Sequence, residues 1–232
     1  MNEQKKANSA LAIILMLFFI IVIPFLPLLI SQKLDWLEAW VYGLLCIVLF
    51  IISRILVARK NPDLLKERSQ FMRQETARSW DKVLAPLVGL GSGVILLVAG
   101  FDHLYGWSHG FRPLTKIISM VFIMGGYLLG TWALVVNRYF SGMVRIQSER
   151  GHKVISSGPY RWMRHPGYIS TIFTYLATPF WLDSSWAIVP ALAIISLLVL
   201  RTYLEDKFLS GELDGYKDYS RKVRYRLLPG IW

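Results

Sequence analysis

The chain has one cysteine, Cys46, and it sits inside an apolar run. A disulfide framework is excluded, because cross-links need pairs. Charge is scarce. Asp, Glu, Lys and Arg make up 18% of the 232 residues, against about a quarter in an average soluble domain. Acids are scarcer than bases: 15 Asp and Glu face 26 Lys and Arg, a formal net charge of +11. No G-x-S-x-G and no H-E-x-x-H occurs, so hydrolase chemistry has no support. No internal repeat or low-complexity tract stands out. What is abundant is apolar: hydrophobic residues reach 54% and aromatics 14%, which excludes a disordered chain.

The apolar residues fall in long uncharged runs at 7–32, 39–53, 83–101, 117–137, 167–182 and 184–200. A helix needs about 20 residues to cross a hydrocarbon core of about 30 Å. The first four runs reach that length, the second with help from a snorkelling Arg54. The last two are shorter, and residues 182–186 read as a tight turn between them. They predict a short helical hairpin, with Pro179 and Pro190 as candidate kinks. Lys5 and Lys6 precede the first run as they would in a signal peptide. The run is too long for a typical signal core, and no A-x-A site follows.

The expected fold class is thus all-α: a multi-pass integral membrane protein of about six apolar helices, the last two a short hairpin. Six crossings with the N-terminus inside put every Lys and Arg on the inner side except Lys33, Arg112 and Lys116. This asymmetry places both termini on the cytoplasmic face. Anionic lipid headgroups account for the basic excess, and nucleic acid is not an expected partner. The sequence leaves oligomeric state open.

Three regions follow. Residues 1–60 form an N-terminal transmembrane hairpin. Residues 61–82 form an interfacial helix or linker: Asn61-Pro62-Asp63 offers an N-cap, a proline at N1 and an acid in the first turn. Leu64, Leu65, Arg68, Phe71 and Met72 then recur at helical spacing, as on a membrane surface. Residues 83–232 form the core, with polar segments at 138–166 and 201–232.

Gly89-Leu90-Gly91-Ser92-Gly93 looks like a nucleotide loop, but it lies within an apolar run and no strand precedes it. A close helix contact of the G-x-x-x-G type is the better reading, and Gly126 with Gly130 reads the same way. Asp102, His103 and His109 lack a third firm ligand, so no metal site is expected.

Residues 151–168 are richer. Gly158-Pro159 makes a turn. His165 precedes a proline and is biased to extended geometry, and Pro166 suits N1 of the next helix. Arg164 and His165 then stand at a helix N-terminus, which favours a carboxylate or phosphate. Tyr160, Trp162 and Tyr168 offer aromatic faces to a ring or a cation. An interfacial Trp, Tyr and Arg belt explains the same residues. Further on, Arg201 and Glu205 lie one helical turn apart. They form either a surface ion pair or a pair of opposite charges for a zwitterionic ligand. A carboxylate suits an ammonium or sulfonium, and a guanidinium suits a carboxylate.

Set in order, Asn137-Arg138-Tyr139-Phe140, Val144-Arg145-Ile146-Gln147, Gly151-His152, Gly158-Pro159-Tyr160, Arg164-His165-Pro166-Gly167-Tyr168, Arg201-Thr202, Glu205-Asp206 and residues 216–230 resemble the isoprenylcysteine carboxyl methyltransferase family. That family lies within a wider group that includes phospholipid methyltransferases. The resemblance covers roughly the last 100 residues; before them only the apolar helices are alike. It implies S-adenosylmethionine as methyl donor. The cofactor-binding residues would be Gln147, His152, Lys153, Val154, Ile155, Tyr160, His165, Pro166, Gly167, Tyr168 and Glu205. Arg201 would face the methyl acceptor as the catalytic residue, with Asn137 beside it. Asp206 stands where the family has a second glutamate.

The implied chemistry suits these residues. A carboxylate acceptor is already ionised at neutral pH and needs positioning rather than a base. An amine acceptor would need a base, and none is evident. The missing base favours a carboxylate acceptor, and the resemblance implies a lipidic, isoprenylcysteine-like one. The alternatives are a phospholipid or amine N-methyltransferase of the same fold, and a sterol-reductase-like enzyme using NADPH.

Overall fold

The computed structural model describes residues 18–69 and 76–232. The start of the first apolar run, Lys5, Lys6, Phe71, Met72 and Arg73 lie outside the described residues. Among the described residues there are helices and connecting segments, and no strands.

A π-helical turn, Phe18–Val22, and a 3-10 turn, Ile23–Phe25, lead into α1 (Leu26–Ser31). Then follow α2 (Leu37–Lys60), α3 (Pro62–Ser69), α4 (Asp81–Tyr105), α5 (Pro113–Val136), α6 (Pro166–Trp181), α7 (Ile188–Glu212) and α8 (Tyr216–Lys222). Helices α2, α4, α5 and α7 are long and apolar enough to cross a bilayer. Prolines open α3, α5 and α6 at N1, where the missing N–H is no loss.

The last two runs do not make a symmetrical short hairpin. Helix α6 has 16 residues, but α7 has 25 because it continues past its apolar run to Glu212. Leu, Glu, Lys and Arg all sustain a helix, so the polar residues 201–212 extend it. The turn at 182–186 is present, with Asp183 at φ +55°. Pro190 falls in the first turn of α7, where it removes no helical hydrogen bond.

The bundle core is built from Leu28, Tyr42, Cys46, Ile95, Leu96, Ile123, Ala177 and Leu182, with small alanines between them. Helices α5 and α6 approach closely because a Cβ on Gly126 would stand 2.7 Å from the Ser170 carbonyl oxygen, and one on Gly130 2.8 Å from Ser170 Oγ. The small-residue reading holds there. In the other motif the contact is Gly91, against Ile194 of α7, while Gly89 meets nothing. The odd glycine, not the spaced pair, makes that approach.

The connections gather at two ends. At one, Lys116 pairs with Glu38 at 2.6 Å and with Asp183. Buried Asp102 there accepts from Ser108 and Ser184, while the His103 ring stacks on Trp36 at 3.7 Å. At the other end lie residues 61–69, 137–165 and 213–232. Asn61 does not cap its own helix with its side chain. Its amide instead donates to the carbonyls of Leu134 and Val135, at 3.2 and 2.7 Å, closing the C-terminus of α5. Helix α3 is docked rather than loose: Leu64 is fully buried, and Glu67 pairs with Arg145 at 2.9 Å.

Candidate active site

The loop after α5 is folded by its own polar groups. Asn137 Oδ1 accepts the Tyr139 N–H at 2.9 Å. Gln147 is fully buried; its amide donates to the Tyr139 carbonyl at 2.8 Å, and its oxygen accepts from Arg150. The Tyr139 hydroxyl donates to Gly151 at 2.8 Å and its ring packs on His152 at 4.6 Å. The Gln147 N–H points at His152 Nδ1, 3.3 Å away. Burial, with Arg145 and Arg150 nearby, pulls the His152 pKa down to about 4, so its ring is neutral at physiological pH.

A second layer comes from the far end of the chain. Arg164 and His165 donate their backbone N–H groups to Tyr225 and Arg226, at 3.0 and 2.9 Å. Tyr219 of α8 donates to the Tyr160 carbonyl at 2.8 Å, and Asn137 Nδ2 stands 3.1 Å from the Tyr160 hydroxyl. Burial raises the hydroxyl pKa of Tyr160, Tyr216 and Tyr219, so all three stay protonated.

Between these layers and α7 opens a pocket. Of the residues singled out from sequence, Asn137, His152, Lys153, Val154, Ile155, Tyr160, His165, Gly167, Tyr168, Arg201 and Glu205 line it. Gln147 and Pro166 do not. Gln147 supports the wall from behind, and Pro166 starts α6. Gly167 leaves room for the Phe140 ring, which fills the space a Cβ would take.

Arg201 and Glu205 both face the pocket and do not bond each other. The Tyr168 hydroxyl donates to Glu205, and the Arg201 guanidinium lies 5.2 Å from the Tyr168 ring centroid. The carboxylate partner of Arg201 is Asp81, at 2.6 Å. Sequence reading missed Asp81, whose only signal was an acid just ahead of an apolar run. It also missed the walls formed by Leu209, Leu213 and Tyr216. Asp206 is turned away from the pocket into a cluster of Tyr216, Arg164, His165 and Arg226.

This pocket is assembled almost wholly from residues 137–219, and comparison with known proteins converges on the same stretch. Residues 117–211 match the isoprenylcysteine carboxyl methyltransferase (ICMT) family. The resemblance seen in the motifs is borne out, at modest identity. The chain is 28% identical over 109 residues to "Probable protein-S-isoprenylcysteine O-methyltransferase" of Oryza sativa subsp. indica, covering 46% of this chain and 57% of that one. It is 28% identical over 113 residues to "Protein-S-isoprenylcysteine O-methyltransferase" of Tribolium castaneum, covering 47% and 40%. A "Lamin-B receptor" of Drosophila melanogaster is 29% identical over 97 residues, 40% of this chain and 13% of that protein. The chain thus spans about half the length of the curated methyltransferases it matches. The ICMT match runs from α5 to the end of α7. Asp81 and α8 lie outside it.

Proposed function

We propose that the pocket binds S-adenosylmethionine and that its methyl group passes to the carboxylate of a lipid-linked, isoprenylcysteine-like acceptor. The observation that carries this reading is the pair Arg201 and Glu205. They stand one turn apart on α7, inside the ICMT-matching stretch, and both face the pocket.

The residues present fit such a cofactor. Glu205 offers a carboxylate to an ammonium group. Tyr139, Tyr160 and Tyr168 offer aromatic faces to a sulfonium. Among the described residues, the backbone groups of Lys153, Val154 and Ile155 make no hydrogen bonds, so this extended stretch has donors and acceptors for a heterocycle edge. The N–H of Gly167 at the start of α6 makes none either, and a helix N-terminus suits a carboxylate.

When bound, the cofactor would supply an electrophilic methyl group for the acceptor oxygen, with a neutral thioether as the leaving group. No proton moves, so the chain needs no general base. Its task is to align two reactants and exclude water. Arg201 holds the acceptor carboxylate, and the aromatic walls and apolar helices limit water. The site lies at the basic end of the helices, which the positive-inside rule assigns to the cytoplasmic side. A soluble cofactor then enters from water and a lipidic acceptor from the bilayer.

The test is calorimetric titration of S-adenosylmethionine into the protein in detergent, with Glu205→Ala alongside, followed by labelled methyl transfer. Binding lost in the variant, with label released by mild alkali, supports a carboxyl methyl ester. Alkali-stable label would point to an amine acceptor. NADPH binding without S-adenosylmethionine binding would overturn the reading.

A further inference from the structure

Asp81 is the first residue of α4, fully buried and outside the stretch that matches the ICMT family. Its carboxylate grips Arg201 with two bonds: Nε donates to Oδ1 at 2.6 Å and Nη2 to Oδ2 at 3.0 Å. Oδ2 also accepts the Val144 N–H at 2.6 Å. Nη2 makes a further bond to the Gly142 carbonyl at 2.9 Å. A guanidinium has five N–H donors. The one on Nε and the two on Nη2 are spent on this clamp. The two on Nη1 make no hydrogen bond among the described residues, and the Arg201 side chain lines the pocket. A fork held this way presents a single nitrogen to a ligand.

From this geometry we infer that Asp81 is a positioning residue for the methyl acceptor. It fixes Arg201 so that Nη1 alone faces the acceptor, and it cancels the guanidinium charge so that the acceptor carboxylate is held by hydrogen bonds and stays nucleophilic. The inference rests on the carboxyl-methylation reading above. Its physical basis is differential binding. A carboxylate oxygen loses negative charge as it bonds the methyl carbon. A bare guanidinium in a site of low dielectric would therefore hold the ground state more tightly than the transition state, and so raise the barrier. Paired with Asp81, Arg201 orients the acceptor without that penalty. A purely structural clamp would make the same contacts but leave no such kinetic signature.

Asp81→Asn separates the two. N-Acetyl-S-farnesylcysteine is the acceptor, and S-adenosylmethionine affinity is followed by calorimetry. Loss of the counter-charge is expected to lower the acceptor KM by about threefold or more and kcat by about tenfold or more, with cofactor Kd within about twofold of wild type. Asp81→Glu keeps the charge but displaces the fork by a methylene. It is expected to raise KM by about threefold or more with the same cofactor Kd. A KM that is unchanged or raised in Asp81→Asn overturns the inference. So does wild-type kinetics in Asp81→Glu, which carries the test if Asp81→Asn does not fold. The unaltered protein distinguishes the underlying reading: cofactor binding and ester formation sustain it whatever Asp81 does, and their absence overturns both.

Discussion

The Asp206 carboxylate stands 2.9 Å from Arg226 Nε, and this contact fastens the end of the chain to α7. The same carboxylate accepts from the Tyr216 hydroxyl at 2.9 Å and lies 3.2 Å from Arg164 Nε and 3.4 Å from His165 Nε2. One buried acid thus ties α7, α8, the start of α6 and the C-terminal segment together. Asp206→Asn leaves Arg164 buried without its counter-charge. Breaking a buried pair costs roughly 3–5 kcal/mol, and the partial exposure of Arg226 argues for the lower end. A fall in the unfolding midpoint in detergent is expected. Arg226→Gln should cost less.

His152 sets a pH dependence. Its ring is held neutral down to about pH 4 by burial and by Arg145 and Arg150, while an unfolded histidine titrates near 6.5. Because the folded value is depressed, the unfolded chain binds a proton first as pH falls. Stability is full above about pH 6.5 and is lost progressively toward pH 4. Unfolding midpoints measured across this window should decline, and His152→Gln should flatten that decline. Above pH 7 the variant and the wild type should run parallel.

The α5 and α6 contact predicts a contrast between glycines. A Cβ at Gly126 meets the Ser170 carbonyl at 2.7 Å and Thr174 Oγ1 at 2.6 Å, whereas at Gly89 it meets nothing. Gly126→Ala forces backbone apart and should destabilise by about 1–3 kcal/mol. Gly89→Ala should be neutral or slightly stabilising, since alanine is the better helix former by up to about 1 kcal/mol. Equal effects on unfolding would sink the packing argument.

Tyr168 orients Glu205 through its hydroxyl. Tyr168→Phe removes that donor and leaves the ring in place under Arg201. If Glu205 receives the cofactor ammonium, this variant should weaken S-adenosylmethionine binding about three- to tenfold, in line with one hydrogen bond. Glu205→Gln, which loses the charge, should weaken it by more than about tenfold. Calorimetry on the three proteins gives the order, and a larger effect from Tyr168→Phe than from Glu205→Gln would contradict it.

Much of the site was legible because its parts are local in the chain. Gly158-Pro159, His165-Pro166 and the one-turn spacing of Arg201 and Glu205 each follow from short-range geometry, and His165, Arg201 and Glu205 line the pocket. Gln147 and Pro166 belong to the same motifs but support the wall rather than form it. Motif membership does not say which way a side chain points. Asn61 shows the same limit: its position before Pro62 predicts a cap, and its amide caps a different helix.

The sequence by itself determined that the apolar runs at 39–53, 83–101 and 117–137 would become membrane-length helices, that Pro62 and Pro166 would open helices, and that basic residues crowd alternate polar segments. Hydropathy, turn chemistry and charge asymmetry act over a few residues and can be read from them. Only the tertiary structure decided that Arg201 is held by Asp81, that Asp206 is a tether rather than a pocket wall, and that Gly91 rather than Gly89 meets a neighbouring helix. Those choices depend on the packing of segments far apart in the chain. A buried charge or a close backbone approach takes whichever partner that packing brings within reach.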